Sequence, residues 1–92
     1  MREKTFSVTN RLGLHARPAS LFVQVSARYR CDVKVVKVSG DESIEVNGKS
    51  VMGIMMLAAA NGEKVKVVLD GPDEDKAMGE FEALFARKFD ED

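Results

Sequence analysis

Gly13-Leu14-His15-Ala16-Arg17-Pro18-Ala19 is the stretch from which the rest of the chain is best read. It holds the only histidine of a 92-residue sequence. Pro18 marks the start of a helix, because its ring holds φ near the helical value and it lacks the N–H that a first turn leaves unpaired. Gly13 lets the chain bend sharply just before that start. His15 therefore stands at or beside the first free backbone N–H groups of a helix. With the helix dipole, the amides of Ala16 and Arg17 form a ready anion site. Arg17 adds a fixed positive charge whose fork suits phosphate oxygens. Nucleophile, anion cradle and cation occupy neighbouring positions, as suits a histidine that accepts and releases a phosphoryl group. A single histidine in a small domain is more often a surface or capping residue, and anion sites at helix starts are common.

On the N-terminal side, residues 2–9 alternate, with Phe6 and Val8 on one side and Thr5, Ser7 and Thr9 on the other, which predicts a half-buried strand. Residues 10–14 form the loop into His15. On the C-terminal side a helix is expected from about Ala16 to Arg28. Leu21, Phe22, Val25 and Tyr29 share its buried face, and Ser20, Gln24 and Arg28 point to solvent. Val33, Val35, Val36 and Val38 favour a second strand. Ser39-Gly40-Asp41 reads as a turn, and Ile44 and Val46 alternate with polar residues in a third strand that closes a hairpin.

Asn47-Gly48 is a further turn, and Ser50 is a good N-cap for a short helix over Val51 to Ala60 that ends at Asn61-Gly62. Val51, Ile54, Met55 and Ala58 are its expected core face. Met52, Met56 and Leu57 make the helix apolar beyond that face. The methionines have two readings: they fill gaps in the core, or they form an exposed apolar patch for partners. Val65, Val67 and Leu69 predict a fourth strand. Asp70-Gly71-Pro72 breaks it and opens a last helix, with Asp73, Glu74 and Asp75 at its positive end and Arg87 and Lys88 at its negative end. Ala77, Met78, Phe81, Leu84 and Phe85 are its buried stripe, and Asp90-Glu91-Asp92 a frayed tail. The order β-α-β-β-α-β-α, with helices on one face of a largely antiparallel sheet, is an α+β two-layer arrangement. The length suits one domain over residues 1–92.

Composition excludes several classes. The formal net charge is -1, which gives no electrostatic reason to bind nucleic acid, and no apolar run approaches the length of a membrane span. A polar, alternating N-terminus argues against a signal peptide, so a cytoplasmic location is expected. One cysteine, Cys31, and one histidine make neither an internal disulfide nor a zinc site, and no metal or cofactor is expected. Cys31 is expected as a small buried or half-buried side chain. No second histidine, Walker-type loop or carboxylate lies beside His15, so the residue types suit a carrier better than an independent enzyme.

Two segments also resemble a known family. Residues 9–19, Thr9-Asn10-Arg11-Leu12-Gly13-Leu14-His15-Ala16-Arg17-Pro18-Ala19, resemble the active-site segment of the HPr phosphocarriers of the phosphoenolpyruvate-dependent phosphotransferase system. Residues 47–57, Asn47-Gly48-Lys49-Ser50-Val51-Met52-Gly53-Ile54-Met55-Met56-Leu57, resemble that family's regulatory-serine segment. The pair is far more specific than either alone. The resemblance implies an open-faced sandwich of four strands under three helices. It implies that Nδ1 of His15 takes a phosphoryl group from phospho-enzyme I and passes it to an EIIA-type domain, with Arg17 stabilising the added charge. It implies that Ser50 is a target of HPr kinase/phosphorylase in some hosts, and that Ser20, Val51, Met52 and Met55 meet partners along with Arg17. A monomer is expected.

Residues 9–13 and the ending Phe89-Asp90-Glu91-Asp92 look like the nitrogen-related carrier, whereas residues 49–55 look like carriers that HPr kinase recognises. The branch stays open on sequence. The hairpin near Gly40 is a few residues longer than in the commonest members. A different class of function is a regulatory interaction module whose main output is partner binding.

Overall fold

A computed structural model describes residues 1–38 and 43–90. Strand β1 (Arg2–Ser7) leads through the 8–15 loop into helix α1 (Ala16–Ala27). Strands β2 (Asp32–Lys37) and β3 (Ile44–Asn47) follow, then helix α2 (Val51–Met56), strand β4 (Lys64–Asp70) and helix α3 (Glu74–Ala86). A last tight turn covers Lys88–Asp90. The predicted turn at Ser39-Gly40-Asp41 and the lengthened hairpin lie outside the described residues, as do Glu91 and Asp92.

The four strands form one sheet in the order β1-β4-β2-β3, with every neighbouring pair antiparallel. Strand residues alternate between faces. The register places Phe6 opposite Val65, Val35 opposite Val67 and Val33 opposite Leu69, so these six side chains share the helix-covered face. Arg2 and Lys4 lie on the same side of β1 as Phe6. They reach out to α3, where Arg2 pairs with Asp75 at 3.1 Å and Lys4 pairs with Glu82.

All five phenylalanines of the chain are buried, and they join the layers. Phe6 stacks on Phe85 at 4.3 Å between centroids, Phe22 stacks on Phe81 at 4.5 Å, and Phe85 meets Phe89 edge-on at 4.9 Å. Burial of such a ring is worth about 1.5–3 kcal/mol. The expected stripe of α3, Ala77, Met78, Phe81, Leu84 and Phe85, is buried throughout.

Three local expectations need correction. Helix α2 ends at Met56 rather than running to Ala60, because Ala58 turns left-handed with φ 50°. Its core face is consequently Val51, Ile54 and Leu57. Leu57 is fully buried, whereas Met55 is 40 % exposed and Ala58 faces solvent. Asp90 is not frayed: its amide donates to the Arg87 carbonyl at 3.0 Å and its carboxylate accepts from Arg87 Nε at 3.0 Å. Lys88, Phe89 and Asp90 all take positive φ there (54°, 55° and 59°). That conformation disfavours L-residues by roughly 1–2 kcal/mol each. The buried Phe89 ring against Phe85 and the Asp90–Arg87 bonds together work against that cost.

Candidate functional site

The chain enters α1 through a tightly held loop. Gly13 has φ 70°, and a Cβ there would lie 2.4 Å from the Ala59 carbonyl oxygen. Only glycine suits both conditions. The next residue, Leu14, donates its amide to that same Ala59 oxygen at 2.9 Å and buries its side chain. Asn10 is fully buried and donates from Nδ2 to the Gly13 carbonyl at 2.6 Å. This frame delivers His15 to its place.

His15 is the N-cap of α1, half-buried, with extended backbone (φ -81°, ψ -167°) and a side chain that does not cap the helix. The first bond within the helix runs from the Ala19 amide to the His15 carbonyl at 3.0 Å. Pro18 has no N–H to offer, so the amides of Ala16 and Arg17 are the ones the helix leaves without an intrahelical acceptor. Ala16 and Arg17 are exposed, and the first turn carries no acidic residue to compete for an anion. Three of the sequence-predicted residues, His15, Ala16 and Arg17, thus lie side by side at the start of α1. Pro18 sits at the third helical position, buried, as a helix from Ala16 requires.

Ser50 is the N-cap of α2, and its Oγ accepts the Gly53 amide at 3.0 Å. Lys49 beside it donates from Nζ to the Tyr29 carbonyl at 2.9 Å, tying the Ser50 turn to the end of α1. Helices α1 and α2 pack on each other. The two readings of the methionines resolve toward exposure: Met52 is 71 % and Met56 70 % exposed. Leu12, on the loop before His15, is 67 % exposed. Of the other predicted contact residues, Ser20 and Val51 are half-buried. Sequence reasoning misses two polar residues of this region, Asn10 and Asn61. By pattern Asn61 is only a helix end, although an asparagine beside a turn often bonds to nearby backbone.

Elsewhere, carboxylates fasten backbone turns. Asp73 accepts the amides of Arg30 at 2.7 Å and Cys31 at 2.9 Å, and these bonds hold its carboxyl below the usual range. Burial pushes the Cys31 thiol up, in keeping with an inert side chain. Among the described residues no group of three or more His, Cys, Asp or Glu could hold a metal ion, and no helix is long and apolar enough to cross a membrane.

A family model described as "PTS HPr component phosphorylation site" matches residues 2–87. The chain belongs to the HPr phosphocarrier family. It is 44% identical over 89 residues to the phosphocarrier protein HPr of Treponema pallidum, covering 97% of each chain. It is 36% identical over 90 residues to the phosphocarrier protein NPr of Escherichia coli, covering 98% of this chain and 97% of that one. Its fold matches the crystal structure of HPr from Thermoanaerobacter tengcongensis with a TM-score of 0.89, at 40% identity over 100% of this chain and 99% of the other. The open four-stranded sheet under three helices is the HPr fold. As an HPr-family member the chain is a phosphotransfer carrier of the phosphotransferase system. Likeness to both an HPr and an NPr keeps the sugar and nitrogen-related branches together at this level.

Proposed function

We propose that residues 1–92 act as one domain that carries a phosphoryl group on Nδ1 of His15. The observation that supports this most directly is the placement of the chain's only histidine as the residue that opens α1, with two helix-start amides and Arg17 immediately after it. A neutral imidazole is a good nucleophile near neutral pH. Phospho-enzyme I is the donor: a P–N bond forms at Nδ1 as the donor's bond to phosphorus breaks. An EIIA-type domain is the acceptor, and the same bond breaks again when the group is handed on. The amides of Ala16 and Arg17 and the Arg17 guanidinium stabilise the added charge in the meantime. Their exposure keeps that stabilisation modest, so the group can leave. The chain is a stoichiometric carrier of the cytoplasm, not an independent catalyst.

Ser50 is the regulatory position in this reading. A phosphate there would sit at the start of α2, where backbone amides accommodate it, and would bring negative charge to the surface that a donor approaches. HPr kinase/phosphorylase is the modifying enzyme. Met52 and Met55, with Arg17, Ser20 and Val51, form the contact surface. The exposed methionines also favour a second reading, a regulatory module whose main output is partner binding, with phosphorylation of His15 or Ser50 only modulating the contact.

The test is intact mass and phosphorus NMR after incubation with phosphoenolpyruvate and a cognate enzyme I, with His15→Ala alongside. One acid-labile phosphoryl group on the wild type and none on the variant is the expected result. No modification with either an active sugar-branch or nitrogen-branch donor overturns the carrier reading. The donor that works assigns the branch.

A further inference from the structure

The loop before His15 is held against residues 59–63 almost entirely by backbone groups. Val8 donates to the Glu63 carbonyl at 2.8 Å, Gly62 to the Val8 carbonyl at 2.8 Å, and Leu14 to the Ala59 carbonyl at 2.9 Å. Backbone bonds of this kind are made by many residue types. One side chain adds what they do not supply. Asn61 Nδ2 donates to two consecutive carbonyls, Thr9 at 3.1 Å and Asn10 at 3.2 Å. Asn10 in turn grips the Gly13 carbonyl through its own Nδ2, and its carbonyl accepts the Gly13 amide at 3.2 Å. A chain of hydrogen bonds therefore runs from Asn61 through Asn10 to Gly13, two residues short of His15. The turn that bears Asn61 is fixed independently: the Ala60 amide donates to Glu63 Oε1 at 2.7 Å, and Glu63 pairs with Lys37 at 3.3 Å.

We propose that Asn61 is a positioning residue for phosphoryl transfer at His15, acting through Asn10 and the Gly13 turn. This deepens the reading of His15 as the acceptor and rests on it. Asn61 does not touch the reacting atoms. Its carboxamide removes the slack between the end of β1 and the start of α1, so that the imidazole meets its donor from one fixed loop conformation. Placing a reacting group within a small range of geometry accounts for a large part of such rates, and small misplacements are costly. Asn61 is itself exposed, so its removal opens no cavity in the core.

The experiment compares wild type with Asn61→Ala, Asn61→Leu and Asn61→Gln in two reactions. The first is transfer from phosphoenolpyruvate through enzyme I, with kcat and KM for the carrier measured separately. The second uses phosphoramidate and no donor protein. There the P–N bond of the zwitterion breaks, ammonia leaves with the proton it already holds, and a P–N bond forms on the unprotonated ring nitrogen. Alanine and leucine cannot donate to the two carbonyls, and the expected result is a fall of about fivefold in kcat and in the phosphoramidate rate, with KM unchanged. Glutamine keeps the donor, and its rates are expected within about twofold of wild type. Equal rates for all four proteins overturn the inference. So does a lower melting midpoint with unchanged rates, which would make Asn61 a purely structural tie. If Asn61→Ala does not fold, the leucine and glutamine variants decide between these outcomes. Reaction with phosphoramidate but with no donor protein removes the carrier role alone, and the phosphoramidate rates still judge Asn61. Modification of His15→Ala as fast as wild type overturns the His15 reading and this inference together.

Discussion

Tyr29, just beyond α1, donates its phenolic hydroxyl to the carboxylate of Glu80 in α3. The other oxygen of that carboxylate accepts from Arg28 Nη1 at 2.7 Å, so one glutamate ties the end of α1 to the middle of α3. The bond to Glu80, with burial added, pushes the tyrosine up to about 12.

This gives a pH prediction with a definite sign. The folded protein holds the Tyr29 proton more tightly than the unfolded chain, whose tyrosine titrates near 10. The stabilisation is therefore fully present below about pH 10 and is lost as pH rises through about 12. Tyr29 is the only tyrosine and the chain has no tryptophan, so tyrosinate absorbance reports this one group. A native titration centred near 10 would refute the prediction. Tyr29→Phe is expected to lose about 1 kcal/mol near neutral pH and to show a flatter alkaline stability profile in urea melts.

The cap at Ser50 supports a second prediction. Ser50→Ala removes the acceptor for the Gly53 amide and is expected to destabilise the protein by about 1 kcal/mol in urea denaturation. Ser50→Asp keeps a capping oxygen and adds charge at the favourable helix end, so its stability should match or exceed that of serine. A lower transfer rate from enzyme I to Ser50→Asp, with stability retained, would separate regulation by charge from damage to the fold.

Two glycines should respond in opposite directions. Gly79 lies in the exposed middle of α3 with nothing within 4 Å of a built Cβ, and Gly79→Ala is expected to stabilise by about 1 kcal/mol. Gly13→Ala meets the Ala59 oxygen at 2.4 Å in a left-handed conformation, and should both destabilise the fold and displace the loop before His15. Thermal melts of the pair, with phosphotransfer measured on each, check both statements.

Exposed and buried apolar side chains of the helix layer should separate stability from recognition. Phe81→Ala removes a ring that is fully buried and stacked on Phe22, with an expected cost of about 3–5 kcal/mol. Met52→Ala and Met56→Ala change stability by less than about 0.5 kcal/mol, because both side chains are in solvent. Met52→Ala should instead weaken binding to enzyme I, measured by titration calorimetry, with Met56→Ala as the exposed control. Unchanged affinity would remove Met52 from the contact surface.

Much was legible in the sequence, for identifiable reasons. Phe6 and Val8 alternate with polar residues, the stripe of α3 repeats at helical spacing, and Ser50 precedes an apolar run. Each is a local pattern with one dominant structural solution. The coincidence of Gly13, His15, Arg17 and Pro18 placed the candidate site for the same reason: a proline and a glycine restrict the backbone on either side of the histidine. The end of α2 was less legible. Every residue from Val51 to Ala60 except Gly53 is apolar and tolerates a helix, so the pattern carries no stop signal before Asn61.

The sequence by itself determined the element order, the helix starts and the residues around His15, because propensity, capping and periodicity act over a few neighbouring positions. Only the tertiary structure decided which methionines face solvent, where α2 stops, and that Asn61 reaches back to Thr9 and Asn10. It also decided the left-handed turn at Lys88–Asp90, which no glycine announces and which exists because Phe89 packs on Phe85. These features depend on contacts between residues distant in sequence or on burial that outweighs local preference, and a pattern read along the chain holds neither.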